Sequence, residues 1–209
     1  MSSEGSLTLD RGLALLQAVA DAGGDALTIS ELAVAIGASR AAIYRLLVPL
    51  SDRGLVRRDD NKVRLGVGVL RLGEQVLPQV REAARPVLRE LADQAGATAH
   101  LSIAQGDQIE CVAVVEPSWT DFHVAYRVGA RQPIGVAAAG KALSLRQGGR
   151  GWVTSTGEPQ RGMSGLAAPL RGVPGLRASV GVVYFGPIRA DAVGPQVMTA
   201  AAKLAEVLK

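Results

Sequence analysis

The stretch SELAVAIGASRAAIYRLLVPLSDRGLVRRDDNKVRL, residues 30–65, decides the fold. Leu32, Ala33 and Ile36 recur at helical spacing behind Ser30, a preferred N-cap type. Gly37 stands where a helix takes a left-handed stop. Ser39 is placed to cap a second helix, in which Ile43, Leu46, Leu47 and Leu50 form one apolar stripe. Ala41, Arg45 and Val48 fall on the other side, with Arg40 and Tyr44 on its flank. Gly54 closes that helix. Leu55–Arg58 and Lys62–Leu65 then alternate around Asp59-Asp60-Asn61, a hairpin in the position of a wing. Two helices joined at a glycine, arginines outward, then a basic hairpin, make a winged helix-turn-helix, and the partner implied is double-stranded DNA.

The charge distribution supports that reading. The chain of 209 residues carries a formal net charge of +4. Residues 1–66 are balanced, but 37–66 hold Arg40, Arg45, Arg53, Arg57, Arg58, Lys62 and Arg64 against Asp52, Asp59 and Asp60. The positive charge thus gathers on the second helix and the hairpin, where phosphate contact needs it. At 48% hydrophobic and 20% charged residues the chain is expected to be a soluble globule. No charged-then-apolar leader precedes Asp10 and no apolar run approaches membrane-spanning length, so no membrane partner and a cytoplasmic location are expected.

Outward from the anchor, residues 1–6 are small and polar and are expected to lack order. Leu9, Leu13, Leu16, Val19 and Ala20 mark a first helix, with Thr8 or Asp10 placed to cap it. Residues 26–29 read as a short strand beside the wing. From Val67 the helical period returns through Val69, Leu72, Val76 and Val80; Pro78 should kink or break this helix, and a fresh one starts near Pro86 and runs to Gly96. Beyond Gly96 the period is two. Strands are expected at 97–104, 108–115, 122–128, 166–170 and 178–185, with helices at 134–145 and 193–208. The fold class is therefore α+β: a winged helix-turn-helix at 7–66, a helical linker at 67–95, and at 96–209 an antiparallel sheet with helices on one face.

Other chemistries find little support. The single cysteine, Cys111, excludes an internal disulfide, and with His100 and His123 as the only histidines no metal set is expected. Ser164 lacks a nucleophile elbow, and Gly66-Val67-Gly68 has Arg71 where a dinucleotide loop needs its last glycine. No catalytic residue, cofactor or enzyme activity is expected. Trp119, Phe122 and Tyr126 fall together; a pocket lining, a subunit interface and plain core fit them equally.

The order of these features resembles the IclR-type bacterial transcription regulators over nearly the whole chain. The match is carried by Ile36-Gly37 through Ile43-Tyr44-Arg45-Leu46-Leu47, then Leu50, Gly54-Leu55-Val56, Val128-Gly129, Pro133-Ile134 and Gly140-Lys141-Ala142-Leu143. It continues in Arg150-Gly151-Trp152, Gly157-Glu158, Gly162, residues 166–170, Val183 and Gly186-Pro187. The resemblance implies a C-terminal GAF-like effector-binding domain, a homodimer or tetramer, and a palindromic operator whose binding a small-molecule effector modulates.

Ser39, Arg40, Ala41, Tyr44 and Arg45 are then the expected groove contacts, and Arg57, Arg58, Lys62 and Arg64 the wing contacts, of which strand alternation lets only some touch DNA. The sequence also departs from the family. Ala41 and Ala42 stand where hydroxyl residues are common, Pro49 should leave the Arg45 carbonyl unbonded within the second helix and bend its last turn, and a segment is missing around Arg146–Gly149. The effector positions fall on Ala138, Ala139, Ser155 (or Thr156), Gly165, Val183 and Phe185, where the family often has groups for a small acid. An apolar or aromatic effector is expected. The alternatives are an effector-independent nucleic-acid binder with a degenerate sensor domain, and a GAF-like enzyme or signalling domain.

Overall fold

The computed structural model describes residues 6–149 and 151–209. The expectation for residues 1–5, and Arg150 of the Arg-Gly-Trp segment, lie outside the described residues. The chain divides into two compact units, 1–76 and 77–209. The division falls within the expected linker.

In the first unit, α1 (Leu7–Asp21) is followed by β1 (Leu27–Thr28), α2 (Ile29–Ala35), α3 (Arg40–Asp52), β2 (Val56–Asp59) and β3 (Lys62–Leu65). The strands form an antiparallel sheet in the order β1-β3-β2. The helix starts differ from the sequence reading. Ser6, not Thr8 or Asp10, caps α1. Thr28, not Ser30, caps α2: its hydroxyl accepts from the Glu31 amide at 3.2 Å while the Glu31 carboxylate accepts from the Thr28 amide at 2.7 Å. That box won because the chain leaves β1 directly into the helix. Ser39 caps α3 as expected, accepting from the Ala42 amide, and Gly37 and Gly54 take left-handed φ values of 61° and 67°.

The core of this unit joins Leu15, Val19, Ile29, Leu32, Ile43, Leu46, Leu47, Val56 and Val63. Leu9 and Leu13, expected on the buried stripe of α1, are exposed instead. Gly54, Gly66 and Gly68 form the root of the wing. The Gly68 amide donates to the Gly54 carbonyl, and a Cβ on Gly66 would overlap that same carbonyl.

Helix α4 (Gly68–Ala95) is continuous over 28 residues, with Pro78 and Pro86 inside it. Of the kink or break expected at Pro78 there is no break, and no fresh helix starts at Pro86; each proline removes the amide that the carbonyl of Glu74 or Glu82 would otherwise meet. The second unit then builds β4 (Thr98–Gln105), β5 (Gln108–Val115), β6 (Arg131–Pro133), α5 (Ala137–Ala142), β7 (Val153–Thr156), β8 (Met163–Pro169), β9 (Ala178–Phe185) and α6 (Ala190–Val207). The six strands are antiparallel in the order β6-β5-β4-β9-β8-β7. Residues 122–128, expected as a strand, are irregular, and the helix expected at 134–145 is regular only over α5. Strands β6 and β7 carry too few alternating residues to stand out in the sequence.

The sheet has two unlike faces. Ala99, Leu101, Leu166, Ala168, Val180 and Val182 share one core with Leu88 and Leu91 of α4 and Val197 and Leu204 of α6. On the reverse face Ala167 packs with Ala138 and Ala142 of α5. Helices therefore lie on both faces, not on one as the sequence suggested; α5 is too short for its face to be read from periodicity. Gly140 and Gly194 are among the positions that have no room for a Cβ. A Cβ on Gly140 would overlap the Ile134 carbonyl, and a Cβ on Gly194 of α6 would enter the Trp152 indole. Gly194→Ala is therefore expected to lower the unfolding free energy by about 1–3 kcal/mol in urea titrations, the usual cost of overpacking a closed core.

Candidate nucleic-acid interface and ligand pocket

Helix α3 buries Ile43, Leu46 and Leu47 and so turns Arg40, Ala41, Tyr44, Arg45 and Val48 to solvent. Arg45 has no hydrogen-bond or ion-pair partner among the described residues. The Arg40 guanidinium donates to the Ser30 hydroxyl, tying α3 to α2. Ser39 is spent on its capping bond. In the wing, Asp59 stands opposite Lys62 and Arg57 opposite Arg64 across a two-residue turn, Asp60-Asn61, with Asp60 at φ 55°.

Alternation sorts the wing cations. Arg57, Asp59, Lys62 and Arg64 share one face, and Asp59 lies 2.8 Å from Arg57 and 4.0 Å from Arg64. Arg64 also donates to the Gly24 carbonyl at 2.7 Å. Arg58 points the other way, with Val56 and Val63. Its guanidinium lies 5.2 Å from the centre of the Tyr44 ring and its Nε donates to the Asp60 carbonyl. A cation over an aromatic face is attractive, so Arg58 joins the wing to α3. The structure thus groups Arg40, Ala41, Tyr44 and Arg45 on one exposed helix face and Arg57, Lys62 and Arg64 on one wing face. It gives Arg58 a bridging place.

In the second unit Ala138, Ala139, Ser155, Gly165 and Val183 come together beside the start of α5, around a cavity of about 20 Å³, room for about one water molecule. Phe185 does not join them: it lies 82% exposed at the end of β9. The floor under α5 is polar. Thr98, His100, Ser102, Ser155 and Ser179 are buried on this side of the sheet. The Ser155 hydroxyl accepts from the Ala138 amide at 2.9 Å, and the Ser179 hydroxyl donates to the Ala139 carbonyl at 2.8 Å. Glu158 completes the arrangement. Its carboxylate accepts from the Ala137 amide at 3.1 Å and from the Lys141 ammonium at 2.6 Å. The Lys141 bond, then the Ala137 amide, hold the Glu158 carboxyl below the usual carboxylate range. Ala137 itself sits at φ 55°, a strained value for a residue with a Cβ.

The inner cavity thus mixes the expected small apolar positions Ala138, Ala139, Gly165 and Val183 with polar groups. Its polar lining comes from His100, Tyr126, Gln132, Ser155 and Glu158, of which only Ser155 was among the expected positions. The alternation Thr98-His100-Ser102 against Ala99-Leu101 was the available signal: a polar strand face that the fold buries rather than exposes. His100 meets Tyr126 edge to face at 5.2 Å, and Ser102 lies 3.3 Å from its Nδ1. Burial pushes the His100 imidazolium down to about 4 and the Cys111 thiol up to about 12, so both are neutral at pH 7 and Cys111 is a poor nucleophile. Trp119 donates its indole N–H to the Asp93 carbonyl and lies over Gly96, while Phe122 is 92% exposed. No group of His, Cys, Asp and Glu that would hold a metal ion occurs among the described residues. Among the described residues no single helix is long and apolar enough to cross a membrane.

The chain thus joins a winged helix-turn-helix to a six-stranded antiparallel sheet with helices on both faces, the two-part layout of one class of protein. Residues 8–60 match the IclR helix-turn-helix domain and residues 77–148 the bacterial transcriptional regulator IclR C-terminal domain. The chain belongs to the IclR family. It is 32% identical over 145 residues to the HTH-type transcriptional regulator BhcR of Paracoccus denitrificans, covering 68% of this chain and 51% of that protein. It is 27% identical over 153 residues to the HTH-type transcriptional repressor AllR of Escherichia coli K12, covering 68% and 54%. The chain thus spans about half the length of these relatives. An IclR-family regulator from Rhodococcus superposes with a TM-score of 0.60 at 20% identity over the whole of both chains. An IclR homologue from Microbacterium hydrocarbonoxydans, solved with 4-hydroxybenzoate, does so with 0.53 at 17% over 96% and 98%.

His100 gives this unit a defined acid response. The unfolded chain binds a proton near pH 6.5 and the folded chain only near pH 4, so stability present above pH 6.5 is lost as pH falls through that window, by about 3 kcal/mol. The thermal midpoint of the wild type is expected to drop steeply from pH 6.5 to 4.5, and that of His100→Gln to drop less.

Proposed function

We propose that this chain is a DNA-binding transcriptional regulator, not an enzyme, which binds a palindromic operator as a homodimer in the cytoplasm and whose binding a small molecule modulates. Residues 7–66 would dock on the duplex, 67–95 link, and 96–209 sense the ligand. The observation that carries this reading is the exposed face of α3. Arg45 is unpaired there among the described residues, beside Arg40 and Tyr44, and next to a wing whose Arg57, Lys62 and Arg64 share one side. That is the layout a recognition helix in the major groove and a wing along the backbone require.

Dimerisation is supported by an uncovered apolar surface in the first unit: Leu7, Leu9 and Leu13 of α1 and Leu70, Leu72 and Val76 of α4 are all more than half exposed. Family membership, a regulator and a repressor among the relatives, and 4-hydroxybenzoate in a structural neighbour support ligand-modulated regulation.

Fragments selected from a random DNA pool should yield a palindrome. In anisotropy titrations on it, Arg45→Ala should lose about 1–3 kcal/mol and relax preference at one base position, while Lys62→Ala should weaken all sequences alike and lower the salt slope by about one. Unchanged operator binding by Arg45→Ala would count against this docking. Leu13→Glu should shift the sedimenting species from dimer to monomer.

A further inference from the structure

The inner cavity beside α5 is closed by the chain's own groups, but a pocket of about 850 Å³ opens next to it. Tyr126, Pro159 and Val183 line both. The chain has two phenylalanines and three tyrosines. Both phenylalanines, Phe122 and Phe185, and two of the tyrosines, Tyr126 and Tyr184, converge on this one pocket. The two phenylalanine rings are almost fully exposed. Phe185 is nonetheless held: its ring lies over Gly162, where a Cβ would stand 3.3 Å from it, and the Gly186 amide donates to the Gly162 carbonyl at 2.7 Å.

Arg127 and Arg161 also line the pocket. Neither guanidinium has a hydrogen-bond or ion-pair partner among the described residues, and no acidic side chain lines the pocket among them. Exposed flat rings lose water-facing area when a flat apolar body covers them, and unpaired guanidiniums favour an anion. The volume is that of a drug-sized ligand, far larger than a two- or three-carbon acid needs.

We propose that the second unit binds a planar, multi-ring organic anion in this outer pocket, its rings against Phe122, Tyr126 and Phe185 and its charge on Arg127 and Arg161. Glu158 already occupies the first amide of α5 and leaves the inner cavity no room for a small acid. The proposal rests on the reading of this unit as the ligand-sensing part of the chain.

Calorimetric titration of the full chain with 2-naphthoate, 2-naphthalenemethanol and pyruvate tests it. 2-Naphthoate should bind once per chain, the uncharged alcohol at least tenfold more weakly, and pyruvate not at all. Arg161→Ala and Phe185→Ala, both at exposed positions, should each weaken 2-naphthoate at least tenfold with an unchanged thermal midpoint. Failure of 2-naphthoate to bind, indifference to both substitutions, or saturable binding of pyruvate would overturn the proposal. These titrations contain no DNA. Loss of operator affinity with intact 2-naphthoate binding would therefore strike the regulator reading and leave this one standing.

Discussion

The second unit depends on a carboxylate placed against the start of a very short helix. Helix α5 has only six residues and cannot be stable on its own account. It is held by Glu158 on the Ala137 amide, Ser155 on the Ala138 amide, Ser179 on the Ala139 carbonyl, and the small-residue contact of Ala138 and Ala142 with Ala167. Each of these groups comes from a different strand or turn of the far half of the sheet. Remove the carboxylate and a strained residue, Ala137, loses the partner of its amide. The same bond leaves Lys141 neutralised and the cavity beneath α5 filled. The seating of α5 and the shape of the inner cavity thus both involve this one carboxylate.

The sheet makes this possible because its faces divide the labour. The face toward α4 and α6 is apolar and supplies the bulk of the hydrophobic stabilisation. The face under α5 carries buried Thr98, His100, Ser102 and Ser179, and each needs a partner when water is excluded. The Thr98 hydroxyl donates to the Val124 carbonyl at 2.6 Å, which ties the irregular segment to the sheet. Residues 122–128 keep their position through such bonds and not through a strand ladder. That is why aromatic side chains on an irregular segment can line a defined pocket.

Much of the first unit was legible in the sequence, because its signals are local. Gly37, Ser39 and Gly54 mark ends that depend on one or two neighbouring residues, and the stripe Ile43-Leu46-Leu47-Leu50 names the inward face of α3. The winged helix-turn-helix and the α+β class follow from such patterns. What was missed needed distant partners. Thr28 takes the cap from Ser30 because β1 pairs with β3 and delivers the chain to the helix there. The continuity of α4 through two prolines was not readable, since packing of Leu88 and Leu91 outweighs the lost bonds. In the candidate site, the family positions Ala138, Ala139, Ser155, Gly165 and Val183 did converge. Glu158 and Ser179 could not be assigned a role from spacing, as they reach α5 from turns and strands far along the chain. Phe185 was placed in the inner pocket by analogy with short side chains, and its bulk and its position at the strand end turn it outward.

The wing carries its own counterion. Asp59 lies 2.8 Å from Arg57 and 4.0 Å from Arg64, so two of the cations of that face are already partly neutralised within the chain. A phosphate approaching this face exchanges with a carboxylate and not only with dissolved cations or anions. The entropy gained from released salt is correspondingly smaller than the number of arginines would suggest. On a wing that meets a duplex as proposed above, Asp59 is a built-in competitor for Arg57, worth up to about 1 kcal/mol for so exposed a pair.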